Sequence, residues 1–228
     1  MIERLRAHPE RVHLGLMLAL TFSTGVVDAV GYLGLDKVFT GNMTGNVVIL
    51  GMALTGAAGL PIVGPIIALV CFMAGAATAG RVLKPVSAGW SHRSTVLFAI
   101  VGVLLLVAAI PTLVLGELDD PVRYVVTGAL GYAMGMQAGS ARHIGVKDVT
   151  TVVVTSTIVG LAFDSRIAGG SGQPWFRRAG AIVLIAAGAA VGALLLHVHL
   201  GAGMALAAVI TLVAALIGHI SKPHPTDR

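Results

Sequence analysis

Six long apolar runs, at residues 13 to 35, 60 to 80, 95 to 115, 124 to 141, 179 to 196 and 203 to 220, take up most of this 228-residue chain. Each approaches or exceeds the roughly 20 residues a helix needs to cross a hydrocarbon core of about 30 Å. A water-soluble surface cannot be assembled around such runs, because 56% of the residues are hydrophobic and 11% are charged, with a mean hydropathy of +0.92. The expected fold is therefore all-α and transmembrane, a single membrane domain over residues 1 to 228, embedded in a lipid bilayer. The first run follows Arg4, Arg6 and Arg11 as a signal peptide would, but it outlasts an h-region of about 7 to 15 residues and reads as a retained helix.

Two shorter apolar stretches, 38 to 56 and 149 to 163, open on the polar clusters TGNMTGN and KDVTTVVVTST. As full spans they would make eight crossings, and the loop with Arg81, Lys84 and Arg93 would lie outside if the N-terminus is cytoplasmic. As half-helices they leave six crossings, and 11 of the 15 basic residues fall on the cytoplasmic side, as positive-inside insertion requires. The six-crossing topology is preferred. It puts both termini and the loops 84 to 94 and 164 to 178 inside, and the acidic loop 116 to 123 (GELDDPVR) outside.

A shift of 111 positions lays DAVGYLGLDKVFTGNMTGN over GSARHIGVKDVTTVVVTST, so that Thr40 meets Thr151 and Thr44 meets Thr155. It also lays the runs at 60 and 95 over those at 179 and 203, giving halves of about 13 to 115 and 124 to 220. Three crossings per half make the second half enter from the opposite side, which yields two inverted repeats, each with an additional short or broken helix. That plan recurs in secondary transporters, with the solute site where broken helices meet near the midplane.

The candidate site residues follow from this plan. A helix that begins inside lipid needs its first N–H groups satisfied by protein or by a water-filled cavity. Thr40, Asn42, Thr44 and Asn46 have the chemistry for such a start, with Thr151 and Thr155 at the second one. The positive end of a half-helix favours an anion or a carboxylate, and the competing role for these residues is to glue helices together. Asp28 lies inside the first run, where an ionisable group is by default functional, and handling a coupling proton is the role expected of it. Its alternatives are a structural pair with Lys37 or Arg142, or contact with water at the helix end. Gln137, Arg142 and Asp148 flank the second break, and Arg142 is the candidate counter-ion for Asp28 or for an anionic solute. Gly131, Gly135 and Gly139 repeat every four residues and are expected to bring the first and fifth helices together.

Other function classes find no support. The net charge of +5 is spread between apolar runs rather than clustered, so no nucleic-acid partner is expected. Cys71 stands alone, and His197 and His199 do not share a helix face, so neither a bound metal nor any other cofactor is expected. No nucleophile with its base and no phosphate loop occurs, so the chain is not expected to be an enzyme.

The segments DAVGYLGLDKVFTGNMTGNVVILG and GYAMGMQAGSARHIGVKDVTTVVVTSTI resemble the paired signatures of the YoaK-like family of bacterial membrane proteins. The resemblance implies a multi-pass protein of the bacterial inner membrane and brings no established solute with it. Ala138 and His143 depart from that family's pattern, which has Asn and a second basic residue there. The functional expectation is a small secondary transporter of a small polar or anionic solute, acting alone or as half of a homodimer. Its alternatives are a channel or passive facilitator and a non-transporting scaffold.

Overall fold

The computed structural model describes residues 8–115, 118–146, 154–170 and 175–222. Eight α-helices account for most of them: α1 (Pro9–Gly34), α2 (Met43–Leu54), α3 (Val63–Leu83), α4 (His92–Leu115), α5 (Asp120–Ile144), α6 (Val154–Phe163), α7 (Trp175–Leu196) and α8 (Leu200–Ser221). Among the described residues there is no strand. Helices α1, α3, α4, α7 and α8 are each long and apolar enough to cross a membrane. Helix α5 has 25 residues and comparable length, but Arg123, Gln137, Arg142 and His143 lower its hydropathy. Many of its residues, Gln137 among them, are buried against the other helices rather than facing lipid. The 12 residues of α2 span only about 18 Å at 1.5 Å per residue, and the 10 described residues of α6 about 15 Å.

Side-chain contacts fix the direction of every long helix. At one end of the bundle, His13 near the start of α1 stacks on Trp90 from the α3–α4 connection, and Trp90 lies against Gly218 near the end of α8. His143, at the end of α5, meets the Ser87 carbonyl at the same end. At the other end, Gly34 packs on Leu196 and Leu200, and Gly201 packs on Thr112 and Leu113. Helices α1, α4 and α7 therefore run one way and α3, α5 and α8 return. Helix α2 joins two helices at the far end, and α6 joins two at the near end.

Two glycine-built seams hold the long helices together. A Cβ on Gly135 would sit 2.0 Å from the Phe72 carbonyl oxygen, and one on Gly131 would sit 2.9 Å from that of Ala68. Gly75 repeats the arrangement from the α3 side, 2.0 Å from the Tyr132 oxygen. The Gly131/Gly135/Gly139 stripe thus joins α5 to α3, which corrects the expectation of an α1–α5 seam. The stripe faces α3 because only there do the backbones approach closely enough to exclude a Cβ. Helix α1 has its own seam with α7, where Gly25, Gly188 and Gly192 would clash with the Ile185, Phe22 and Val26 carbonyls. Helices α1 and α5 make only a thin contact with each other, whereas α4 and α8 pack along their length.

Candidate functional site

After α1 the chain turns back on itself. Asp36 and Lys37 adopt left-handed φ angles of 63° and 57°, which L-residues take only when held there. Lys37 is held from both sides: its N–H donates to the Tyr32 carbonyl, and its ammonium donates to the Gly59 carbonyl at 2.6 Å. Residues 38 to 42 then descend beside α1. Gly31 admits them, since a Cβ there would lie 2.5 Å from the Val38 oxygen, and Gly41 settles against Thr24 and Asp28. Helix α2 accordingly starts beside Asp28, some six residues or about 9 Å in from the end of α1.

At that depth the backbone N–H groups of Thr40, Gly41 and Asn42 all donate to one oxygen, Asp28 Oδ1, at 3.0, 2.7 and 3.3 Å. Successive amides converging in this way form an anion-binding nest. Here a carboxylate of the same chain fills it. The second oxygen, Oδ2, accepts no hydrogen bond from the described residues, and the buried Thr40 hydroxyl lies beside the carboxylate but outside hydrogen-bonding geometry. Asp28 makes no ion pair with Lys37 or Arg142. Lys37 is committed to Gly59, and Arg142 is exposed at the near end of the bundle, about 20 Å along the helix axis from Asp28.

Asn42 caps α2 by accepting from the Gly45 N–H at 3.3 Å. Asn46 has a different task. Its carbonyl oxygen accepts from the Phe39 N–H at 2.9 Å and its amide donates to the Phe39 carbonyl at 2.6 Å, closing a two-bond clamp on the descending segment. It is 1% exposed and has no free face for a solute. Replacing Asn46 by Ala would leave the part-buried N–H and C=O of Phe39 unpaired, at up to about 1 to 3 kcal/mol each. Asn46→Ala is therefore expected to lower the melting temperature of the purified protein, and any loss of activity should track that loss. A variant with wild-type melting temperature would show that the clamp is dispensable.

A cleft of about 260 Å³ opens beside this nest. It is lined by Asp28, by Gly41 to Thr44 at the start of α2, by Phe72 of α3, by Val154 and Thr155 at the start of α6, and by Ile185 of α7. Of the residues expected at a site, Asp28, Asn42, Thr44 and Thr155 meet here. Thr40 and Asn46 lie beneath it as supports, and Arg142 is remote. Gln137 is fully buried and reaches α1 instead, its amide donating to the Thr24 hydroxyl at 3.1 Å, one turn before Asp28. Thr151 falls outside the described residues, as do Lys147 and Asp148.

Sequence reasoning missed Phe72 and Ile185, which look like any apolar residue in an apolar run. The described lining has no Lys, Arg or His. Chemically, the cleft offers one carboxylate oxygen, hydroxyl and amide groups, and an apolar wall.

The family profile described as "Protein of unknown function (DUF1275)" matches residues 16–217. The chain belongs to this family. A curated relative, "UPF0700 transmembrane protein YoaK" of Bacillus subtilis (strain 168), is 30% identical over 192 residues, covering 78% of this chain and 82% of the relative. No solved structure matches the chain. The membership and the five span-length apolar helices together make it a multi-pass membrane protein of the DUF1275 family.

Proposed function

We propose that this member of the DUF1275 family is a small secondary transporter of the bacterial inner membrane, taking a small polar solute into the cleft at Asp28. The observation that carries the reading is the cleft itself, where the start of α2 and the first described residues of α6, one from each half of the chain, meet beside a buried carboxylate. Half-helices that begin inside the membrane and face a cavity are the form solute sites take in inverted-repeat transporters.

The reading includes six crossings, with α2 and α6 as half-helices that return to the side they entered from. The length of α2 supports this, as does the placement of the helices on either side of each at one common end. Inverted halves are supported by the pattern of packing: exchanging α1–α4 for α5–α8 turns the α3–α5 seam into the α7–α1 seam and returns the α4–α8 pair to itself. Placing the near end in the cytoplasm puts Arg81, Lys84, Arg93, Arg166, Arg177 and Arg178 on the side where basic residues are retained. Asp28 is the group we assign to the coupling proton.

Proteoliposomes test the function. Uptake of small polar solutes from a metabolite panel should follow an imposed proton gradient. Flux that ignores the gradient would make the protein a passive facilitator, and absence of any flux would leave a scaffold. Topology is tested separately by placing a single cysteine at the exposed Ala88 after Cys71→Ala. Impermeant reagent should label it in opened but not in intact cells. Labelling of intact cells would overturn the six-crossing orientation.

A further inference from the structure

We propose that the cleft selects a small solute carrying a primary ammonium group, which the second carboxylate oxygen of Asp28, Oδ2, receives. The proposal rests on reading the cleft as a solute site but not on the solute crossing the membrane. The structure divides the two oxygens of Asp28 sharply. Oδ1 is saturated by three backbone N–H donors, while Oδ2 accepts no hydrogen bond from the described residues. The residue is 9% exposed, and it lines the cleft. A carboxylate sequestered this far from water with half its acceptor capacity unused needs a positive partner, since burying a charge is costly unless it is paired and hydrogen-bonded. The described protein supplies none: no basic side chain lines the cleft, Lys37 is spent on Gly59, and Arg142 is at the other end of the bundle.

The same geometry argues against an anionic solute, which the half-helix start alone would have favoured. The converging amides that would bind an anion are already taken by Oδ1, and the Oδ2 charge faces any anion that enters. An ammonium group has three N–H donors. One meets Oδ2, and the Thr44, Thr155 and Asn42 oxygens at the rim are acceptors of the kind the others require. Phe72 and Ile185 leave room on the apolar side for a short carbon chain. At about 260 Å³ the cleft is below the 300 to 1,000 Å³ usual for drug-sized ligands, so the solute is an amine or amino acid of a few carbons.

The full chain purified in detergent tests this with three probes at matched ionic strength: propylammonium chloride, sodium propionate and sodium chloride. Propylammonium should raise the melting temperature saturably and give a binding isotherm, and the other two should do neither. Asp28→Asn should weaken propylammonium binding by about 30-fold or more, as expected when one member of a buried charged pair is removed. Thr44→Val, which leaves the amide nest untouched, should weaken it by a smaller factor, and it serves alone if Asp28→Asn does not fold. Equal or greater stabilisation by propionate, reproduction of the shift by sodium chloride, or undiminished binding in both variants would overturn the proposal. Propylammonium binding without flux of any solute supports it while removing the transport reading. Propionate uptake with no ammonium binding removes it and leaves transport standing.

Discussion

Asp28→Ala is expected to cost the protein its fold before it costs any activity. The substitution strips the N–H groups of Thr40, Gly41 and Asn42 of the one acceptor they have among the described residues, and the first two of these bonds are buried. Unpaired buried donors cost about 1 to 3 kcal/mol each, so the two together, with the part-buried third, exceed the effect of most single substitutions. Detergent melting curves should show a loss of many degrees, and proteolysis should cut the segment between α1 and α2 first.

Asp28→Asn separates structure from chemistry at the same position. The amide oxygen can still accept from the three donors, so the nest survives, but the atom facing the cleft becomes an NH2 that neither carries a proton nor attracts a cation. Gradient-driven uptake should vanish while the melting temperature falls by far less than in the Ala variant. If the residue carries only the coupling proton, solute exchange persists. If its free oxygen also binds the solute, exchange is lost too. A carboxylate paired with Arg142 would instead have been rescued by replacing both, and the separation of the two residues along the bundle removes that expectation.

How much of this was legible in the sequence depended on the range of the interaction. The six long helices lie within a few residues of the six apolar runs, because span length and hydropathy are properties of contiguous sequence. The start of α2 was also legible: TGNMTGN is a string of capping residues, and Asn42 does cap the helix. What Asp28 binds was not, since backbone amides carry no residue identity and the reversal at Asp36 and Lys37 that delivers them depends on an unusual backbone conformation. Asn42 and Asn46 have the same spacing rule and the same side chain, yet one faces the cleft and the other clamps Phe39 beneath it. Only the path of residues 38 to 42 decides which. The glycine stripe on α5 announced a close helix contact correctly, but a small-residue pattern does not name its partner, and the partner is α3.

That partner determines the last expected result, which concerns Gly135 and Gly188. Each marks one of the two closest points of a seam: a Cβ would lie 2.0 Å from the Phe72 oxygen in one case and 2.1 Å from the Phe22 oxygen in the other. Backbone carbonyls cannot turn aside as a flexible side chain can, so Gly135→Ala must part α5 from α3, and Gly188→Ala must part α7 from α1. Overpacking of this kind costs about 1 to 3 kcal/mol and occasionally more. Gly80→Ala and Gly51→Ala are the matched controls. They place the same methyl on α3 and α2 with nothing within 4 Å, and should be neutral or gain up to about 1 kcal/mol from helix propensity. The seams also bear on which bodies would move in the proposed transport cycle. Each joins a helix of the first half to a helix of the second, so the halves are stitched together and cannot rock apart. The looser division runs between the α1–α7 pair and the α3–α5 pair, which touch thinly at Thr24 and Gln137 and between them supply Asp28, Ile185 and Phe72 to the cleft. Cysteines that cross-link α1 to α5 should therefore arrest flux, whereas cross-links within either seam should leave it running. Arrest by the within-seam cross-links alone would mean that the seams slide and that the bodies are divided differently.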